Sequence, residues 1–187
     1  DISKEAKAVL EKWDHKADVK STGTLLFISW ARAMDPYNED MYAIKWDEKN
    51  PRNTPDGLAD PKKAVAVLDQ VAAKIKADFG TLAVPWGEAF RIKSGNINLP
   101  GNGADGSVGA FRVAWPGERE KNITNIGGGD SWVGVIEFGE KIKAHVLLSY
   151  GNSSQENNPH NGDQLKLFSE KKLREAHFYL KDVEANK

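Results

Sequence analysis

The most polar run of the chain, Tyr150–Gln164, contains the residue types of a serine hydrolase triad: Ser153, Ser154, His160 and Asp163. In such a triad the histidine removes the proton of the serine hydroxyl, and the aspartate orients the histidine. A serine nucleophile usually lies on a strained turn such as G-x-S-x-G, and the sequence has no such motif. Ser, Asn and Asp side chains also build compact turns by hydrogen-bonding to nearby backbone. A structural role is therefore favoured, and no catalytic residue is assigned to this loop.

Two glycine-rich runs, Pro100–Gly106 and Ile126–Asp130, have a composition that suggests a ligand site. Neither carries the Lys-Ser/Thr of a phosphate-binding loop, and neither fits the strand–GxGxxG–helix order of a dinucleotide site. The first run also has too few acidic residues for a calcium loop. Because glycine adopts positive φ at little cost, tight bends are predicted in both runs. No cofactor-binding residue is assigned to them.

The other histidines, His15, His145 and His177, follow no metal-ligand spacing such as HExxH. We interpret them as structural residues on a helix, on a strand and in the C-terminal tail, respectively. The chain has no cysteine, which excludes disulfides, thiolate catalysis and Cys-ligated zinc. The sequence therefore predicts no metal ligand and no cofactor.

The composition is that of one ordinary structural unit over residues 1–187, with 40% apolar and 28% charged residues. A net charge of -1, with Lys and Arg scattered along the chain, gives no electrostatic signature of nucleic acid or of an anionic membrane. No apolar run approaches the roughly 20 residues of a membrane span. Neither kind of partner is expected.

Helices are predicted in the first part of the chain, residues 1–80. Ser3 is the expected N-cap of a helix whose apolar face runs from Ala6 to Trp13 and Ala17. A second helix is predicted to begin near Ser21 or Thr22 and to end at Asp35-Pro36, followed by a loop to residue 60.

The third predicted helix has the strongest local signals. Asp60 is its N-cap, Pro61 occupies the first helical position, and Gly80 terminates it in a left-handed conformation. Its apolar stripe is predicted to consist of Val65, Leu68, Ala72, Ile75 and Phe79.

Turns and short strands are predicted in residues 81–187, with one strand at Ala110–Trp115. The clearest signal is a hairpin formed by Ser131–Phe138 and Ile142–Ser149. The first strand of this hairpin is apolar on both faces, which is typical of a sheet covered on both sides.

A short helix around Ser169–Leu173 and a last strand within Ala176–Leu180 are predicted to end the chain. The fold class is therefore α+β, with a helical first half and a mostly antiparallel β second half.

Six tryptophans allow a second interpretation, a stand-alone module that binds a small molecule or a protein. Trp13, Trp30 and Trp132 fall in apolar patterns and are expected in the core. The other three fall at loop edges, where they would line a groove beside the glycine-rich loops: Trp46, Trp86 and Trp115.

Three long segments, in order, resemble the C-terminal part of the β subunit of the penicillin amidase family, with the closer match to its acylase branch, which includes members similar to acyl-homoserine lactone acylases. They are Asn53–Gly80, Val84–Val113 and Gly127–Ser169. The family's ending runs Gly-Asp-Ser-Tyr, a Val-rich strand ending Glu-Phe, a turn and second strand, then Tyr-Gly-Gln-Ser and Ser-Pro-His-Tyr-x-Asp-Gln. Here it is matched by Gly129–Trp132, Val135–Phe138, Tyr150–Ser153 and Asn158–Gln164. The departures are Trp132 for Tyr, Asn152 for Gln, and Asn158 and Asn161 in the His motif.

The resemblance implies an incomplete piece of the αββα sandwich of N-terminal-nucleophile hydrolases. In these enzymes a precursor cleaves itself and exposes a serine at the start of the β subunit. That serine attacks an amide carbonyl, and its own α-amino group acts as the base. Expected substrates are N-acyl amides, such as β-lactam side chains or acyl-homoserine lactones.

Asp1 has no hydroxyl or thiol, so the resemblance implies that the nucleophile and its oxyanion partners lie upstream of this chain. No catalytic residue of the family is carried onto a position here, and the 187-residue chain alone is expected to be inactive. Its expected partners are the α subunit and the N-terminal part of the β subunit from the same precursor. The resemblance also implies a periplasmic or secreted bacterial protein. Sheet edges that those partners would cover predict self-association of the separate chain.

Overall fold

The fold is described by a computed structural model over residues 2–186. The three longer helices come first: α1 (Ile2–Glu11), α2 (Thr24–Ala33) and α3 (Pro61–Phe79). The later helices are short: α4 (Trp86–Ala89), α5 (Leu165–Ser169) and α6 (Leu180–Ala185). Two single 3-10 turns occupy Glu39–Met41 and Gly106–Val108.

The strands form three separate sheets. A two-stranded ribbon joins β1 (Tyr42–Ile44) to β2 (Asp56–Leu58). A four-stranded sheet has the order β4-β3-β6-β5 and contains β3 (Phe90–Ser94), β4 (Ile97–Pro100), β5 (Ala114–Glu120) and β6 (Ile123–Gly129). A three-stranded sheet has the order β7-β8-β9 and contains β7 (Trp132–Glu137), β8 (Lys143–Leu148) and β9 (Arg174–Ala176). Among the named strands of residues 2–186, β3 and β6 are the one parallel pair, so the predicted α+β class, helical first and mostly antiparallel later, is confirmed.

Helix α3 forms with the predicted ends. The Asp60 carboxylate accepts a hydrogen bond from the Lys63 backbone N–H at 2.9 Å, and Gly80 has φ +77°. The predicted apolar stripe needs one correction. Val65 is 51% exposed, and Ala64 is buried in its place, because the buried face of the helix is rotated toward α1 and α2.

Helix α1 is shorter than predicted. It ends at Glu11, so Trp13 and Ala17 lie beyond it. Ser3 lies inside the helix, and its hydroxyl donates to Asp69 of α3 at 2.5 Å. His15 is not on a helix, since its φ of +57° places it in the turn between α1 and α2. The Ser3–Asp69 contact joins residues 66 positions apart, which local spacing cannot reveal.

Helix α2 begins at Thr24 and not at Ser21 or Thr22. The Ser21 hydroxyl donates to the Asp14 carboxylate at 2.9 Å, and the Thr24 hydroxyl donates to the Lys16 carbonyl at 2.6 Å. Both side chains are therefore hydrogen-bonded to the turn that precedes α2. The end of the helix before Asp35-Pro36 agrees with the prediction.

The predicted hairpin is confirmed as β7 and β8, with Val133 opposite Leu147. The strand predicted at Ala110–Trp115 is displaced, because the ladder with β6 begins only at Ala114. The Val113 backbone N–H donates instead to the Asp130 carboxylate, at 3.0 Å.

The tail also differs from the prediction. The helix expected around Ser169–Leu173 lies earlier, at α5, because Leu165 and Phe168 are the apolar residues that reach the core. The last strand, β9, begins two residues before the predicted Ala176–Leu180 segment, shares only Ala176 with it, and is set by pairing with β8.

In residues 2–186 the core consists of three apolar clusters. The first joins α1, α2 and α3, the second packs α2 and α4 against the four-stranded sheet, and the third joins the two larger sheets to α5. Leu25 contacts the first and second clusters, and Ile126 contacts the second and third. Among residues 2–186, no helix combines the length and the apolar character needed to cross a membrane.

Candidate functional site

The polar loop leaves the end of β8 and returns to the start of α5. Gly151 and Asn161 form an isolated bridge, and the Gly162 N–H donates to the Tyr150 carbonyl at 3.0 Å. Gly151 has φ +82°, and a Cβ there would lie 2.2 Å from the His160 carbonyl oxygen. Only glycine allows this close approach. The loop is therefore closed by its own backbone.

The candidate triad residues are only partly brought together. His160 Nδ1 lies 3.1 Å from Asp163 Oδ2, as in the histidine–aspartate half of a triad. The Ser153 hydroxyl, however, accepts a hydrogen bond from the Gln155 backbone N–H at 3.1 Å. Within residues 2–186, neither the Ser153 nor the Ser154 hydroxyl is hydrogen-bonded to His160. These contacts are those of a loop that orders its own turns.

A buried glutamine anchors this loop to the sheet. Gln164 is almost fully buried, and its Oε1 accepts a hydrogen bond from the Leu148 N–H at 3.0 Å. Leu165 and Phe168 follow directly and pack against Leu147 and Ile92. The loop is thus fixed at its base, while His160 stays mostly exposed.

The first glycine-rich run holds an aspartate, Asp105, that pairs with an arginine of α2. The side chain of Asp105 is 5% exposed and accepts hydrogen bonds from Arg32, with Nε at 2.8 Å. It also accepts the Ser107 backbone N–H at 3.0 Å. Burial disfavours the charged carboxylate, but the hydrogen bonds from Ser107 and Arg32 outweigh it and lower the pKa of Asp105. The pair ties α2 to the glycine-rich run.

The tryptophans are placed differently from the sequence prediction. Trp86, expected at a groove, is buried and donates its indole N–H to the Gly103 carbonyl at 2.8 Å. Trp132, expected in the core, is exposed, and its ring covers Gly134. Trp13 and Trp30 are half-buried at the edge of the core, and Trp46 and Trp115 are exposed. The six side chains therefore do not line one groove.

The hairpin strand β7 presents apolar side chains that nothing in residues 2–186 covers. Val135 on one face is 60% exposed, and Ile136 and Trp132 on the other face are also exposed. Phe138, just after the strand, is 81% exposed. β7 is an edge of its sheet in the described part of the chain. The predicted cover on both faces is thus not supplied by these residues, and the strand is left as an apolar surface with free backbone groups.

Nearly the whole sequence matches a family model. A sequence model described as "Penicillin amidase" matches residues 1–185. The chain belongs to the penicillin amidase family. This confirms the resemblance predicted from the sequence.

Two relatives show how this penicillin amidase family chain compares with longer proteins. It is 29% identical over 184 residues to the acyl-homoserine lactone acylase PvdQ of Pseudomonas fluorescens (strain Pf0-1), over 95% of this chain and 24% of the relative. It is 25% identical over 187 residues to the protein of the same name from Pseudomonas syringae pv. syringae (strain B728a), over 96% of this chain and 24% of the relative. The chain spans about a quarter of the length of the relatives it matches.

Sequence reasoning missed two polar residues that make long-range contacts in the fold, one of them partly exposed and the other fully buried. Arg32 looked like an ordinary residue of α2, and Asn102 looked like one more turn residue in a glycine-rich run. Arg32 pairs with a residue 73 positions away, and Asn102 with residues 66 and 67 positions away. No local spacing signals contacts of that separation.

Proposed function

We propose that this chain is the C-terminal structural portion of a penicillin-amidase-family acylase that hydrolyses N-acyl amide bonds. This proposal rests on the family match over residues 1–185, together with relatives named as acyl-homoserine lactone acylases. Acyl-homoserine lactones and the side-chain amides of β-lactams are the proposed substrates. An exported protein, periplasmic or secreted, is proposed on the family resemblance.

The proposed chemistry is that of an N-terminal-nucleophile hydrolase. A serine hydroxyl oxygen bonds to the amide carbonyl carbon, and the α-amino group of the same serine accepts the hydroxyl proton. The proton passes to the leaving amine as the C–N bond breaks. Water then cleaves the acyl-serine ester, releasing the carboxylic acid and restoring the hydroxyl. We place this serine in the longer polypeptide, since the serine-containing loop here shows no nucleophile–base hydrogen bond among residues 2–186.

In this proposal the present chain supplies framework. The apolar, open edge at β7 supports a contact with the rest of the same polypeptide, as one part of an αββα sandwich. Val135, Ile136 and Phe138 would be buried by that contact, and the free backbone groups of β7 would be paired. The Asp105–Arg32 pair and the base of the polar loop keep the framework in one arrangement.

The 187-residue chain alone should release no acid from N-acyl amides, whereas the polypeptide encoded by the complete reading frame should. The physical reason is that the chain holds a histidine–aspartate pair without a hydrogen-bonded nucleophile. The measurement is acid and amine release from a panel of acyl-homoserine lactones and β-lactam amides. Turnover by the chain alone that Ser153→Ala or His160→Ala abolishes would contradict the proposal.

The separate chain should also self-associate through β7. Exposed apolar edge strands pair with other chains, and a lysine on the edge opposes this pairing. We expect light scattering to give a mass of two or more 20.6 kDa chains, and Val135→Lys to return it to one.

Val65→Lys is the matched control for this measurement, since Val65 is also about half exposed but lies on helix α3. It introduces the same charge away from the sheet edge and should leave the association unchanged. A monomeric wild-type chain at high concentration, or equal effects of the two lysines, would count against the β7 contact.

A further inference from the structure

A cavity of about 310 Å³ lies beside the first glycine-rich run, away from the polar loop and from β7. The turn between α1 and α2, the glycine-rich run, residues 109–112 and the turn after α5 form its walls. Three cationic side chains and one carboxylate line the cavity: Lys16, Arg112 and Lys171, and Asp18. The lining also includes His15 and Asn102. The excess of positive charge favours an anionic occupant.

Arg112 has hydrogen-bond donors that nothing in the described chain satisfies. Its guanidinium carbon lies 4.0 Å from the centre of the Phe168 ring, so the ring covers one face of the group. Nε and Nη2 are buried and have no partner among residues 2–186. These two nitrogens form one edge of the guanidinium fork, the edge that holds a carboxylate by two parallel hydrogen bonds.

The nearest carboxylates are already engaged elsewhere. Asp130 accepts the Val113 backbone N–H at 3.0 Å, and Asp18 is paired with Lys171. Burial lowers the pKa of Arg112, and the charges of Asp130 and Asp18 offset this only from a distance. No carboxylate of residues 2–186 lies within ion-pair distance of Arg112. Buried guanidinium nitrogens without a partner destabilise the fold, so this edge of Arg112 favours the binding of an anion.

Asn102 adds a second unpaired group at the same cavity. Its side chain is fully buried, and its Nδ2 donates to the carbonyls of Phe168 at 3.0 Å and Ser169 at 2.8 Å. These two bonds fix the orientation of the amide, and Oδ1 is left without a donor. An occupant of the cavity therefore needs a hydrogen-bond donor for Oδ1 as well as an acceptor for Arg112. A neutral hydroxyl suits this place better than an ammonium, because Lys16, Arg112 and Lys171 would repel a cation.

We propose that this cavity binds a small hydroxy carboxylate, whose carboxylate accepts from Nε and Nη2 of Arg112 and whose hydroxyl donates to Oδ1 of Asn102. In this proposal the unpaired edge of the guanidinium faces the cavity that Arg112 and Asn102 line, while the contact with the Phe168 ring is kept. Binding gives partners to three buried polar atoms at once.

The test is a titration of the ¹⁵N-labelled chain with glycolate, acetate and chloride at constant ionic strength, followed by NMR at the Nε–H group of Arg112. We expect a saturable shift with both carboxylates and none with chloride. Glycolate should bind about fivefold more tightly than acetate, which corresponds to one hydrogen bond of about 1 kcal/mol. An equal response to chloride, no saturable shift, or equal affinity for glycolate and acetate would overturn the proposal.

Arg112→Lys tests the fork itself, because it keeps the positive charge and removes the paired N–H edge. It should weaken glycolate binding about tenfold, measured on the backbone resonance of Gly103 at the cavity wall. Arg52→Lys is the control, since Arg52 is exposed in the loop before β2, and it should change the affinity less than about twofold. Unchanged affinity in Arg112→Lys would refute the assignment, and the wild-type titration decides the matter even if this variant does not fold.

Discussion

Replacing Leu147 with alanine should lower the free energy of unfolding of the chain by about 3 to 4 kcal/mol. Leu147 lies on β8, is fully buried, and packs in one cluster with Ile92, Leu165 and Phe168. It therefore connects the three-stranded sheet to the four-stranded sheet and to α5. Its loss removes buried apolar surface and leaves a cavity among side chains fixed on three elements. Urea denaturation should show a lower midpoint with an unchanged slope.

Val135→Ala is the control for this change, because it shortens an exposed apolar side chain on the partner strand β7. Its effect should stay within about 0.5 kcal/mol. Both variants are to be measured at a concentration where light scattering gives a monomer. If Leu147→Ala costs no more than Val135→Ala, the two sheets do not pack through this cluster.

The sequence was sufficient where a structure is decided by neighbours along the chain. The ends of α3 follow from a capping aspartate, a proline at the first position and a terminal glycine, all within one segment. The hairpin of β7 and β8 follows from two apolar, strand-forming segments on either side of a short turn. The α+β class follows from the order of such segments. Each of these features needs no knowledge of the rest of the fold.

The sequence was insufficient where distant residues decide the outcome. Trp86 looks like a loop-edge residue, but it is buried and its indole N–H donates to the carbonyl of Gly103, 17 positions away. Trp132 follows a core pattern, but its side chain is 55% exposed. In the first case the missing information is a tertiary contact. In the case of Trp132, the apolar pattern lies on a surface that only a further partner would bury. The pattern alone therefore predicts burial that this chain does not provide.

The candidate sites show the same division. The sequence correctly favours local turns for the polar loop, because Ser153 and Asn158 hydrogen-bond to backbone N–H groups two positions along. It gives no sign of the cavity at Arg112, because Asn102 and Arg112 acquire their surroundings from α5, more than 50 positions later. A binding site assembled from separate turns has no motif that can be recognised before the turns are placed.

Replacing Asp105 with alanine should lower the free energy of unfolding by about 3 kcal/mol. The change removes a nearly buried carboxylate, leaves the Arg32 guanidinium without its partner, and leaves the Ser107 N–H without its acceptor. We expect the lower end of the range for a broken buried pair, because the Arg32 side chain is 34% exposed and water can solvate it in part. Thermal and urea unfolding at neutral pH give the measurement.

The matched control is Asp40→Ala, which breaks the Asp40–Lys45 pair on the surface of the loop after α2. That pair is exposed and screened by water, so its loss should produce no measurable change in stability. A large effect of Asp40→Ala, or none of Asp105→Ala, would contradict the distinction between a surface pair and one that joins α2 to the glycine-rich run.

The pH dependence of the same variant supplies an independent check. The pKa of Asp105 is lowered in the folded chain, so this carboxylate stabilises the fold above its ordinary, unfolded pKa of about 4. That stabilisation should be lost as the pH falls through the lower folded value. Wild-type stability should therefore decrease steeply in this acidic range, and Asp105→Ala should show a shallower decrease there. If the two curves stay parallel from neutral to acidic pH, the Arg32 and Ser107 contacts do not hold Asp105 in its charged form.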